Sequence, residues 1–288
     1  MPPLDPTTTT TTDVPVLADV ATHYDEMDDV YREVWSDHAH HGLWRTGSES
    51  LQEALDAVVD VAADAAAVTA GTRVVDVGSG YGATGRRLAQ ERDARVTSFT
   101  ISRRQHDFAV RADAGDHRLR QELRDWLDNG LPDASQDALI AIESIGHMDQ
   151  APALAECRRV LVPGGRLVVL DLLAGNDVPR WQVRPLLRKM EKESHLVPLV
   201  PETEFRHRLE AAGFVVDEVR DLTRGVRSTW PRAVAQILRR IPTDASVRKV
   251  LFSDEYENQG FLLSILRMTI GYRLGAVRFC LVSARVPD

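Results

Sequence analysis

A carboxylate followed by alternating glycines, Asp76-Val77-Gly78-Ser79-Gly80-Tyr81-Gly82, links a short apolar run to a segment with helical character. Glycine lets a backbone turn sharply and approach a ligand with no Cβ in the way. A helix that follows such a turn presents free N–H groups, which favour a negative group such as a carboxylate. This is chemistry for holding a cofactor, and two spacings fit it. Gly80, Gly82 and Gly85 form G-x-G-x-x-G, a dinucleotide fingerprint. Asp76, Gly78, Gly80 and Gly82 form acid-x-G-x-G-x-G, with the acid inside the strand end. A dinucleotide site also needs an acid at the end of the second strand to hold the ribose, and Thr100 stands there instead.

A second reactive set is Ile142-Glu143-Ser144-Ile145-Gly146-His147-Met148. A carboxylate directly after an apolar strand, with an imidazole four residues on, places both near a cofactor bound at the strand ends. Either can act as a base: His147 has an ordinary pKa near ~6.5, and burial would raise Glu143. Where the attacking atom is carbon, either can stabilise cationic charge. A third set, His38-Ala39-His40-His41-Gly42-Leu43-Trp44, invites a metal reading. It lacks a carboxylate or thiolate at ligand spacing, so no metal is expected.

These groups need a scaffold, and the chain from Gly71 onward supplies one. Short apolar runs at Arg73–Val77, Arg95–Thr100, Arg118–Leu123, Asp137–Ile142 and Arg166–Asp171 alternate with helical segments of about ten residues. That rhythm is the signature of a doubly wound parallel sheet. A tight turn is expected at Pro163-Gly164-Gly165, a helix over Thr203–Ala212, and later strands over Phe214–Leu222 and Val277–Val286. Helical insertions are expected over Asn176–Pro201 and Arg224–Gly271. Upstream, Tyr24, Met27, Val30, Tyr31, Val34 and Trp35 recur at helical spacing, and Ser48 begins a capping-box pattern ahead of an alanine-rich amphipathic helix. Residues 1–15 read as a disordered tail. Residues 16–288 read as one domain, divided into a helical lid at 16–70, a cofactor-binding core at 71–175 and acceptor-side insertions with closing strands at 176–288.

Of the 288 residues, 43% are hydrophobic and 27% charged, as in an ordinary globular protein, and the net charge is −8. An acidic chain repels phosphate on average, which argues against a nucleic-acid partner. No apolar run reaches the ~20 residues that a membrane span requires, and the first fifteen residues lack the basic and apolar regions of a signal peptide. Cys157 and Cys280 lie far apart and suggest buried thiols rather than a disulfide. The expectation is a cytoplasmic chain acting on a small molecule, with homo-oligomerisation left open.

The glycine loop together with Thr100-Ile101-Ser102-Arg103-Arg104-Gln105 resembles the class I S-adenosylmethionine-dependent methyltransferases. Within that class it is similar to the small-molecule branch that includes tocopherol-type, sugar and polyketide tailoring enzymes and cyclopropane fatty acid synthases. The resemblance implies a Rossmann-like α/β sheet, S-adenosylmethionine as cofactor, and methyl transfer to a small, largely apolar metabolite. It implies that Asp76, Gly78, Ser79 and Gly80 take the amino-acid part of the cofactor, and that Thr100, Ile101 and Gln105 take the ribose. Asp125 and the Trp126 backbone would take the adenine, with the indole free to pack on the ring. Tyr24, Trp44 and Glu143 would close over the methionine end, although Leu43 replaces an aromatic residue usual in that lid. Arg180, Arg184 and Arg188 share a helix face, which could bind an anionic acceptor or simply be solvated. Two other functions share these motifs: an S-adenosylmethionine-bound cyclase without methyl transfer, and an NAD-dependent oxidoreductase.

Overall fold

Aliphatic runs of five to seven residues become buried strands when helices cover both faces of the sheet they form. In the computed structural model, which describes residues 17–26, 28, 32, 37–176, 179–243, 248 and 260–288, this happens around one seven-stranded sheet. The helices and strands in chain order are α1 (Leu17–Glu26), α2 (Leu51–Ala65), β1 (Arg73–Val77), α3 (Ala83–Arg92), β2 (Arg95–Thr100), α4 (Arg103–Ala112), β3 (Leu119–Leu123) and β4 (Gln136–Ile142). They continue with α5 (Gln150–Val160), β5 (Leu161–Ala174), α6 (Arg180–Glu193), α7 (Glu202–Ala211), β6 (Val215–Asp221), α8 (Thr223–Val226), α9 (Thr229–Arg240), α10 (Gly260–Leu274) and β7 (Val277–Arg285). The expected tail, Met27, Val30, Tyr31, Val34 and Trp35, and the middle of the Arg224–Gly271 segment lie outside the described residues.

The strand order is β3-β2-β1-β4-β5-β7-β6. Strands β1 to β5 pair in parallel, and β7 runs antiparallel to both β5 and β6. The sheet is therefore mixed rather than wholly parallel. Alternation with a period of two sends Val74, Ile140, Val168 and Leu170 to one face, where α2 contributes Val58, Val59 and Ala62. Val75, Val77, Leu139 and Val169 face the other way, against Leu154 and Cys157 of α5 and Phe205 and Leu209 of α7. Both cysteines are buried free thiols.

Two local expectations are corrected. Residues 161–165 are not a separate turn but the start of the 14-residue β5, because Gly164 N–H donates to Val286 O and Val286 N–H to Gly165 O. The sheet edge takes up the backbone groups that a turn would have left to water. The N-cap of α2 is Ser50, not Ser48: Ser50 Oγ accepts from Glu53 N–H, and Glu53 Oε2 accepts from Ser50 N–H at 2.7 Å. Only Ser50 has a glutamate three residues on, which the reciprocal cap requires.

The chain leaves β1 toward β2 on one side and returns to β4 on the other. The crevice of an open α/β sheet falls at this switch point, outside the carboxyl ends of the strands. Helix α2 braces the segment above it, since Leu43 N–H donates to Ala54 O. Replacing Ser50 with Ala should lower the thermal midpoint by about 2–3 °C, with an unchanged circular dichroism spectrum. An unchanged midpoint would show that the cap is not what starts α2.

Candidate active site

The loops after β1, β2 and β4 form one wall, and their sequences explain why. Gly78 has φ +73°, and a Cβ built there would lie 2.4 Å from Ser144 Cβ, so only glycine lets the β1 and β4 loops pass. Ser144 Oγ donates to Val77 O and ties the crossing. Gly80 differs: at φ +54° its missing Cβ would meet only Gln105 Nε2, 3.9 Å away. Here the glycine keeps a cradle open.

Thr100 Oγ1 donates to Gln105 Oε1 at 3.0 Å, which turns the amide N–H₂ of Gln105 toward that cradle. Ser102 is otherwise engaged: its Oγ accepts Gln105 N–H as the cap of α4 and donates to Asp25 Oδ1 at 2.5 Å. The second contact fastens α1 beside the loop, and Tyr81 Oη adds another by donating to Asp28 Oδ1.

A cavity of about 720 Å³, counting its open mouth, follows this wall. Gly78, Gly80, Thr100, Ile101, Gln105, Asp125, Trp126, Tyr24, Glu143 and His147 all line it, as do Leu17 and Val20 of α1, which sequence reasoning missed. Asp76 and Ser79 do not line it. Asp76 is in β1 and Ser79 in the loop after it, with Asp76 Oδ2 and Ser79 Oγ buried and without a hydrogen-bond partner. Burial raises the Asp76 carboxyl to about 7, against an opposing hydrogen bond from Gly85 N–H. Unpartnered buried acceptors beside an open glycine cradle suit a ligand that brings an ammonium group, and the Gln105 amide suits vicinal hydroxyls. The amino acid and ribose of S-adenosylmethionine have those groups, so the residues present fit the cofactor. Trp126 enters the core: its indole N–H donates to Ala153 O and its ring meets Phe99 edge-on at 5.7 Å. Trp44 is buried away from the cavity, with its indole N–H on Glu49 O and Arg232 over its ring.

A second cavity of about 710 Å³ shares Tyr24, Ala39, Glu143 and His147 with the first. His23, His40, Asp171, Ser194 and Trp230 also line it, with Leu172, Leu196, Ile265 and Met268 as an apolar part. Arg184 and Arg188 of the arginine face are exposed and line neither cavity. The side chain of Arg180 lies outside the described residues.

Glu143 and His147 sit where the cavities meet. Glu143 has φ +51°, an uncommon backbone conformation for a side chain of this size. Its Oε1 accepts His41 N–H at 2.6 Å, and its Oε2 lies 2.8 Å from His41 Nδ1, a close contact without hydrogen-bond alignment. Burial works to raise its pKa, but His41 through both contacts, and His40 behind it, bring it below the ordinary 4.5. The sequence expectation of a raised Glu143 is thereby corrected.

His147 is oriented by its partners. Nδ1 lies 2.8 Å from the His195 carbonyl, which can only accept, so the ring proton is on Nδ1. Nε2 therefore carries a lone pair, 3.1 Å from the Tyr24 hydroxyl. Burial lowers the His147 pKa below 6.5 despite that carbonyl and Glu143. Burial, followed by the charges of Glu143 and Asp171, raises Tyr24 well above 10 and keeps it a phenol. Asp171 was not anticipated; burial raises it to about 7, against hydrogen bonds from Leu172 and Gly146 N–H. His38 Nδ1 and His40 Nε2 face each other, His38 Nε2 lies 3.5 Å from Asp56, His40 Nδ1 faces the His41 carbonyl, and the His41 nitrogens face Glu143 and two aromatic side chains.

Fold and wall together are those of a class I methyltransferase, and its cofactor is S-adenosylmethionine. The chain belongs to the mycolic acid cyclopropane synthetase family, which matches residues 11–183. The 27-O-demethylrifamycin SV methyltransferase of Amycolatopsis mediterranei (strain S699) is 32% identical over 229 residues, 76% of this chain and 82% of that one. Among solved structures, a mycolic acid cyclopropane synthase complexed with SAH and CTAB is similar at a TM-score of 0.82. It is 20% identical, with 94% of this chain and 99% of that one covered. The [4+2]-cyclase SpnF is similar at a TM-score of 0.76 and 24% identity, over 95% and 97% of the two chains.

Replacing Gln105 with Ala should weaken binding of S-adenosylhomocysteine about 5- to 10-fold in calorimetry, as expected for loss of a hydrogen bond to a buried hydroxyl. Unchanged affinity would remove Gln105 from the ribose site.

Proposed function

We propose that this chain transfers the methyl group of S-adenosylmethionine to a hydroxyl on a small, largely apolar metabolite, with His147 as base and Glu143 as a fixed negative charge. The observation that carries this reading is the shared wall. Two cavities meet at Tyr24, Ala39, Glu143 and His147, and the lone pair of His147 Nε2 stands at their junction. When bound, the cofactor supplies a methyl group on a sulfonium, ready for in-line displacement. The protein has to align the acceptor and take a proton.

His147 Nε2 accepts that proton directly or through the Tyr24 hydroxyl, and the His195 carbonyl steadies the imidazolium that forms. Glu143, held ionised, favours positive charge at the junction. Leu172, Leu196, Ile265 and Met268 keep water from the acceptor and suit an apolar body. The rifamycin relative, by its name an enzyme that methylates an oxygen, supports an oxygen acceptor and a role in natural-product tailoring.

The test is incubation of hydroxylated apolar candidates with methyl-labelled cofactor. Label is expected in the product, and product formed without label would favour a cyclase on the same fold. His147→Ala should lower kcat by ~10²–10⁴-fold while S-adenosylhomocysteine affinity stays within about threefold, roughly 0.65 kcal/mol. A kcat within a few-fold of the parent would exclude His147 as the base. The pH profile has a fixed sign. Burial favours the neutral, proton-accepting ring, so kcat should be level from neutral pH upward and fall only below the ordinary histidine value of 6.5. An acid limb above 6.5 would contradict it.

A further inference from the structure

His41 Nε2 receives two donors from the acceptor-side helices. The Trp230 indole N–H of α9 lies 2.7 Å away and the Tyr272 hydroxyl of α10 2.9 Å away. An indole N–H can only donate, so Nε2 must offer its lone pair. A proton on Nε2 would set two N–H groups against each other. The remaining ring proton is then on Nδ1, facing Glu143 Oε2.

We infer that Trp230 and Tyr272 are positioning residues that fix the tautomer of His41, a neutral ring whose Nδ1–H faces Glu143 and leaves the carboxylate as the charge at the cavity junction. Neither residue acts on the cofactor. They act through His41, whose ring stands edge-on to both aromatic rings and tilted against Phe279 of β7. Among the described residues, the titratable groups facing His41 are Glu143 and Asp171 from the strand ends, His40 beside it and Tyr272. The two donors on Nε2 leave no room for a proton there. An imidazolium would share its charge with Glu143 and weaken the attraction of Glu143 for a sulfonium. Trp230 also walls the second cavity, as do Ser264, Ile265 and Met268 of α10. The helices that shape the acceptor pocket thus set the charge at the reacting end. This rests on the methyl-transfer reading only for its consequence, because the tautomer can be measured without any acceptor.

The first measurement is ¹⁵N NMR of histidine-labelled protein, with His41 assigned by the signal lost in His41→Gln. Across neutral and mildly acidic pH, Nε2 is expected to be unprotonated and Nδ1 protonated. A protonated Nε2 in the parent protein overturns the assignment whether or not any variant folds. The second compares sinefungin, which carries an ammonium near the position of the sulfonium, with neutral S-adenosylhomocysteine. Their affinity ratio should be level with pH in the parent. In Trp230→Phe/Tyr272→Phe it should fall about tenfold as pH drops through the histidine range, with S-adenosylhomocysteine affinity kept within about threefold. A ratio as level in the double variant as in the parent would overturn the proposal, leaving both residues a packing role only. Loss of label transfer with the tautomer intact would instead count against the methyl-transfer reading.

Discussion

The contact between Glu143 and His41 is the constraint on which the site depends. Glu143 leaves β4 with a positive φ, and a side chain adopts that conformation only where its surroundings fix it. Its own N–H donates to Leu170 O of β5, and its carboxylate accepts the backbone N–H of a residue 102 positions earlier. These bonds hold the segment before α2 across the strand ends, while Asp25 of α1 and Asp28 after it are fastened to Ser102 and Tyr81. One continuous crevice is thereby divided into a cofactor cavity and a second cavity, with Tyr24, Ala39, Glu143 and His147 between them.

Three carboxylates show how partners, rather than burial alone, set charge. Asp76 and Asp171 are pushed up to about 7, each opposed by backbone hydrogen bonds that do not offset desolvation. Glu143 is half-buried and also loses hydration, yet it is held low, because His41 approaches it through both backbone and ring. Its charge also helps to raise Asp171, so the two neighbouring carboxyls are pushed in opposite directions.

Local chemistry was legible in the sequence. The glycine loop, Thr100 with Gln105, the first five strands and the Glu143–His147 spacing are short-range patterns whose geometry follows from the strand and turn that carry them. Longer-range facts were not. Nothing near Trp126 says that its indole will reach Ala153, and nothing near Trp44 says that it will pack away from the cavity. The partners of His41 lie 189 and 231 residues away, in helical segments with no motif. The three neighbouring histidines, from which no metal was expected, gave no sign either that one imidazole would pair with an indole and a phenol. The same distance hid the sign of the Glu143 shift, since burial is readable from an apolar strand and a partner from elsewhere in the chain is not.

The central claim is that the reacting end of the cofactor lies at the junction of the two cavities. The most direct test is a crystal structure of the complex with S-adenosylhomocysteine. The account places the thioether sulfur between Glu143 and His147, with the ribose hydroxyls on Gln105 and the open side of the sulfur toward the second cavity. A sulfur at the far end of the first cavity, with adenine against His147, would contradict it.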